Sequence, residues 1–222
     1  MTASLSDTLT FTQLVERAQR LAARGGRRVL GITGAPGAGK STLAERLVNA
    51  LGPETAVLVP MDGFHLADAV LHSLGVHARK GAHDTFDGFG YAALMRRICE
   101  QQQRVAAGED DIIYAPMFRR DLEEPVGSAI PVHPSTPLVV TEGNYLLLDR
   151  SPWQQVRELI DEVWFLAPPE EQRLERLIAR HERFGRSREE ATERSLGSDQ
   201  RNADLINATA PRADLIVRLR EE

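Results

Sequence analysis

Apolar positions in this chain follow two alternating patterns. Short, nearly uninterrupted apolar runs fall at residues 29–32, 56–59, 138–145, 162–166 and 213–217, the third carrying polar residues at its carboxyl end. Runs of that length are strands buried on both faces. Between them, apolar residues recur at helical spacing. Phe11, Leu14, Val15, Ala18, Leu21 and Ala22 mark an amphipathic helix over 10–24, with a capping box at Thr10 and Gln13 and a stop at Gly25 and Gly26. Leu43, Ala44, Leu47, Val48 and Leu51 mark a second helix that ends at Gly52 and Pro53. Tyr91, Leu94, Met95 and Ile98 mark a third, a short helix spans 153–160, and Leu174, Leu177, Ile178 and His181 form the face of another that starts at Pro168 and Pro169. A polar, arginine-rich stretch around Gly185 leads into a last helix that runs to Ala208. Residues 66–88 read as loop-rich, 111–116 as a short strand, and 126–137 as edge structure or loop, because Pro131, Pro134 and Pro137 interrupt it.

Continuous strands alternating with helices predict an α/β fold: a three-layer sandwich with a mostly parallel central sheet and helices on both faces. The 222 residues fit one such domain, with residues 1–26 as an N-terminal helical segment and residues 178–200 as a small arginine-rich lid. Ligands of such sheets bind beyond the carboxyl ends of the strands.

The residues beyond the first apolar run are Gly34, Ala35, Pro36, Gly37, Ala38, Gly39, Lys40, Ser41 and Thr42. They fit the pattern G-x-x-x-x-G-K-[ST], here placed between a strand and a helix as a phosphate-binding P-loop requires. Three glycines and a proline leave little side-chain bulk. The backbone can therefore wrap phosphate oxygens with its N–H groups at the positive end of the helix macrodipole. Lys40 can reach the β- and γ-phosphates, and the Ser41 hydroxyl can ligate Mg²⁺. The predicted ligand is a nucleoside triphosphate.

Composition adds limits. The formal net charge of −5 argues against duplex nucleic acid as a partner. No apolar stretch approaches the length of a membrane span, so the expectation is a soluble cytoplasmic protein. The lone cysteine, Cys99, excludes an internal disulfide and reads as a small core residue, as do Trp153 and Trp164. A homodimer is compatible with the sequence.

The P-loop is followed by Met61-Asp62-Gly63-Phe64-His65, by Arg79-Lys80-Gly81 with Phe86-Asp87, by Thr141-Glu142-Gly143-Asn144-Tyr145, and by a late arginine-rich segment. This order resembles the uridine kinase, phosphoribulokinase and type I pantothenate kinase superfamily over nearly the whole chain. It is most similar to the small bacterial kinases labelled nucleoside/nucleotide kinase or fructose-transport-system kinase. The resemblance implies ATP with Mg²⁺ as phosphoryl donor and a small-molecule hydroxyl as acceptor: a nucleoside, a sugar or a pantothenate-like compound. It implies Asp62 as catalytic base and Glu142 as the acidic residue acting on Mg²⁺, directly or through water. Among Arg180, Arg183 and Arg186 it implies one that closes over the phosphates, with Arg183 taken as the candidate. It places His65, Arg79, Lys80, Arg119 and Tyr145 around the acceptor, whose chemistry they suit if it is polar or anionic. Asn202 falls near the segment that contacts adenine in relatives.

Plainer readings stand beside these. Asp62 before Gly63 is a common turn pair, Arg79 and Lys80 fit loop charges, Tyr145 fits a core position, and most arginines of the late helix fit a solvated face. A nucleotide-operated regulator without a small-molecule acceptor is the alternative function. It is disfavoured because the chain has no guanine-reading Asn-Lys-x-Asp element.

Overall fold

The computed structural model describes residues 5–108 and 111–220. The chain opens with strand β1 (Leu5–Leu9) and helix α1 (Phe11–Ala22). Thr10 caps that helix reciprocally with Gln13, as the spacing of the two residues predicts. Next come β2 (Arg28–Thr33), α2 (Lys40–Leu51) and β3 (Ala56–Leu58). A single 3-10 turn at Met61–Phe64 leads to α3 (Asp68–Ser73) and the long α4 (Gly88–Ala106). Strands β4 (Ile113–Arg119) and β5 (Glu124–Val132) form an antiparallel hairpin. The remainder is β6 (Leu138–Glu142), α5 (Trp153–Arg157), β7 (Glu162–Leu166), α6 (Glu170–Arg183), α7 (Arg188–Leu196), α8 (Ser198–Asn207) and β8 (Leu215–Leu219).

Six strands make one sheet in the order β1-β8-β7-β2-β6-β3, and every pair in it is parallel. Side chains alternate across it as the pleat requires. On β6, Leu138 and Val140 pack into the layer under α1 and α2, with Leu14, Leu21, Leu43 and Leu47. Val139 points the other way, into the layer of Met95, Trp153, Val163 and Ile206 under α4, α5 and α8. Both tryptophans are core residues. Cys99 donates weakly to the Leu159 carbonyl, and burial raises its thiol pKa to about 11.

Three differences from the sequence reading have simple causes. Residues 1–26 hold a strand as well as a helix, because β1 takes its hydrogen bonds from β8 at the sheet edge and needs no apolar run of its own. The segment read as one helix up to Ala208 is two helices, α7 and α8, broken at Gly197. The proline-rich stretch forms β5, where Pro125 and Pro131 are accommodated because both strands of an isolated hairpin are edge strands.

Topology brings the site together. Strands β2, β6 and β3 are neighbours in the sheet, so the segments that leave their carboxyl ends emerge side by side. Those segments carry the P-loop, Glu142 and Asp62.

Candidate active site

The P-loop joins β2 to α2, and Gly39 caps α2 with a left-handed backbone and no side-chain hydrogen bond. The first N–H groups of a helix have no intrahelical acceptor, so this terminus presents free donors to an anion. Lys40 is buried, and its Nζ donates to the Ala35 carbonyl at 3.2 Å. Burial lowers the Lys40 pKa and raises that of Glu142, which is also buried. The nearby Asp62 charge raises Glu142 further. The Ser41 hydroxyl donates to Glu142 Oε1 at 3.2 Å. Ala35 and Ala38 are buried, and Thr42 is exposed on the first turn of α2.

One support of the loop has no counterpart in the sequence reading. Arg173 of α6 is 2 % exposed and donates from Nη1 to the Pro36 carbonyl at 2.9 Å. Its other nitrogens hold Glu170 and Gln200, tying the P-loop to α6 and α8. Arg173→Met keeps the volume and leaves the Pro36 carbonyl without its donor. A buried polar group so stranded costs about 1–3 kcal/mol. The expected result is a melting temperature lower by about 2–12 °C, at about 2–4 °C per kcal/mol for a chain of this size, together with weaker nucleotide binding. An unchanged melting curve would remove Arg173 as the tie.

Asp62 sits in the 3-10 turn after β3 and faces a cavity of about 720 Å³ that Lys40, Ser41 and Glu142 also line. A Cβ on Gly63 would collide with the Pro116 carbonyl, so glycine lets the β4–β5 hairpin seat directly on this turn. The seat lies at a bulge of β4 between Ala115 and Met117. Asp62 Oδ2 accepts from Arg120 Nη2 at 2.9 Å. His65 lines the cavity between the rings of Phe86 and Phe118, with Nδ1 2.8 Å from the Asp62 carbonyl. Burial lowers the His65 pKa below the ordinary imidazole value, so the ring is neutral at pH 7. Because a carbonyl only accepts, Nδ1 carries the proton and Nε2 is an acceptor. Lys80 also lines the cavity, donating to Asp68 Oδ1 at 2.6 Å and to the Glu123 carbonyl at 2.7 Å.

Four of the predicted catalytic and acceptor-binding residues lie off the cavity wall. Arg79 is half-exposed and pairs with Asp84. Arg119 is held by Asp121, and the next residue, Arg120, faces the cavity in its place. Tyr145 is buried and donates from its hydroxyl to the Gly81 carbonyl at 2.6 Å, bracing the loop that carries Lys80. Arg183 is exposed. Arg173, Leu177, Arg180 and Phe184 form one stripe of α6, and at 100° per residue Arg183 stands about 80° from Arg173 at the head of that stripe. Arg180 and Phe184 line the cavity, as do Arg186, Arg194 and Asn202. Arg180 is itself exposed at the cleft mouth, and partial desolvation by the surrounding protein, with the Arg120 charge, lowers its pKa. The Arg119-Arg120 pair at the tip of β4 was the available signal for Arg120. Arg173 gave none, since an arginine in a helix rich in Arg and Glu reads as surface.

An all-parallel sheet with a P-loop after a central strand, and with acidic groups at the carboxyl ends of the next two strands on one side, β6 and β3, defines a P-loop kinase fold. The chain belongs to the phosphoribulokinase/uridine kinase family, whose model matches residues 29–222. A Schizosaccharomyces pombe protein named as a candidate uridine kinase is 30% identical over 95% of this chain and 91% of its own length. A Silicibacter sp. TM1040 protein, solved as a candidate fructose transport system kinase, is 34% identical with a TM-score of 0.81, covering 94% of this chain and 98% of that one. The Saccharomyces cerevisiae protein YFH7 shares the fold at a TM-score of 0.77 and 18% identity, covering 96% of this chain and 100% of that one. The chain is thus an ATP-dependent phosphotransferase with a hydroxyl acceptor. No helix among the described residues is long and apolar enough to cross a membrane.

Proposed function

We propose that the chain transfers the γ-phosphoryl group of Mg²⁺-bound ATP to a hydroxyl of a nucleoside, sugar or pantothenate-like small molecule. One observation carries the reading: Asp62 lines the same cleft as Lys40 and as the hydrogen-bonded pair Ser41 and Glu142. The hydroxyl and carboxylate at the mouth of the P-loop are hard oxygen donors, the set that suits Mg²⁺. Bound there, Mg²⁺ would neutralise charge on the phosphate oxygens and orient them.

The chain's own groups account for the rest. Lys40 leaves a single carbonyl contact for the β- and γ-phosphate oxygens, where it meets formal charge. Asp62 accepts the proton of the acceptor hydroxyl as the new O–P bond forms, and the cleaved oxygen stays on ADP. Arg180, on the inner stripe of α6, takes the part of the arginine over the transferring group in place of Arg183. Closure of α6 and α7 over the cleft would exclude water and so limit hydrolysis. The names of the Schizosaccharomyces and Silicibacter relatives support a nucleoside or sugar acceptor.

The test is ADP release from Mg-ATP, alone and with nucleosides, pantothenate, fructose and other sugars, and sugar phosphates. Strong stimulation by one compound is expected. Hydrolysis indifferent to every acceptor but altered by a protein partner would instead identify a nucleotide-operated regulator.

A further inference from the structure

The group proposed as catalytic base is already engaged. Arg120 Nη2 donates to Asp62 Oδ2 at 2.9 Å, and the pair is accessible from the cleft, with 49% of the arginine and 25% of the aspartate side chain exposed. The guanidinium thus occupies Oδ2, one of the two oxygens that could take a proton from the acceptor hydroxyl. Proton transfer to that oxygen requires that Arg120 be drawn away. A neutral acceptor would leave the half-exposed guanidinium with water alone as its new partner. An oxyanion on the acceptor would give it an equivalent partner, and a guanidinium suits the planar, two-pronged recognition of a carboxylate or phosphate.

The surroundings fit that exchange. Arg120 follows β4 and rests on Phe118, its guanidinium carbon 5.2 Å from the ring centroid. The Lys80 ammonium lies 5.4 Å from the same centroid, so two cations converge on one ring at the cleft wall. Lys80 is fixed by Asp68 and by the Glu123 carbonyl, which leaves Arg120 as the cation free to change partner. Neutral His65, its ring centroid 4.8 Å from that of Phe118, offers Nε2 as an acceptor for a substrate hydroxyl. The acids lining this end of the cleft are Asp62, Asp68 and Glu123, and the first two are already paired.

We propose that the acceptor carries an oxyanionic group, carboxylate or phosphate, and that this group takes Arg120 from Asp62, so that acceptor binding itself releases the base. The inference rests on the kinase reading above and narrows its acceptor class.

Matched pairs test it: glycerate and glycerol, pantothenate and panthenol, ribose 5-phosphate and ribose. Binding to the ADP complex is measured by calorimetry and transfer by ADP release, for the unmodified chain, Arg120→Lys and Arg120→Ala. In at least one pair the anion is expected to bind about tenfold or more tighter than its neutral twin, the scale of one charge-assisted hydrogen bond. Arg120→Ala should erase that gap and Arg120→Lys should keep part of it. The pairs with carboxylates and the pair with phosphate tell which oxyanion is read. Absence of a preference in every pair, or a preference that survives Arg120→Ala, overturns the proposal. An equal loss of transfer to both members of a pair also overturns it, because Arg120 would then act on the transferring phosphoryl group. Absence of transfer to every compound of the wider acceptor panel would sink the kinase reading and this inference with it, whereas transfer without an anion preference sinks this inference alone.

Discussion

Asp62→Asn is expected to retain ATP binding and to lose about 10²–10⁴ in turnover, the range for removing a general base. The substitution keeps the size and planarity of the side chain and removes only the charge and the proton-accepting oxygen. Its structural cost is small, because the ion pair with Arg120 is partly exposed and such pairs contribute about 0–1 kcal/mol. The 3-10 turn is also held by contacts that do not involve the carboxylate, notably the seat of Gly63 against Pro116 and the His65 bond to the Asp62 carbonyl. Stopped-flow transfer and calorimetric ATP titration on the same preparation separate the outcomes. Turnover equal to the unmodified chain removes Asp62 from the mechanism. A parallel collapse of ATP affinity would place the residue in the nucleotide site and move the acceptor elsewhere.

Much of this architecture was legible in the sequence because it depends on local pattern. The P-loop declares itself by residue type and spacing, and Asp62 and Glu142 were legible as acids that end apolar strands. That they meet follows from the strand order β2-β6-β3, which the sequence implies only through the rule that ligands gather at strand ends. Long-range decisions were not legible. β1 exists because β8 offers it an edge. The choice between Arg119 and Arg120 depends on where a bulged hairpin turns, a displacement of one residue that no periodicity records.

The lid arginine shows a different failure. An apolar face of Leu174, Leu177, Ile178 and His181 sets one rotation of α6, whereas the buried residues are Arg173 and Leu177. With Arg173 buried, the inner stripe runs through residues 173, 177 and 180, so Arg180 lines the cleft while Arg183 lies beside that stripe. Burial of Arg173 is stabilised by the Pro36 carbonyl and by Glu170 and Gln200, partners that only the folded chain supplies.

The same contact between the P-loop and α6 sets the second large expectation. Gly37→Ala should abolish useful nucleotide binding while the sheet remains folded. Gly37 has φ +84°, and a Cβ there would lie 2.5 Å from the Arg173 carbonyl and 3.1 Å from Leu177 Cβ. The left-handed backbone alone costs an alanine about 1–2 kcal/mol. The collision is with main chain of α6, so it is relieved only by moving that helix or by pushing the loop into the space where phosphate binds. Displacing two backbone donors from a phosphate, at about 1.5–3 kcal/mol for each charged hydrogen bond, predicts a loss in ATP affinity of about a hundredfold or more. Gly25→Ala is the control. It has a similar φ of +79° and nothing within 4 Å of the added Cβ. It should therefore lose about the same backbone stability with no change in ATP affinity. Calorimetric titration of both variants with ATP, beside their melting curves, decides the matter: a Gly37→Ala chain that binds ATP like the Gly25→Ala chain would show that the cradle does not depend on the close approach of α6.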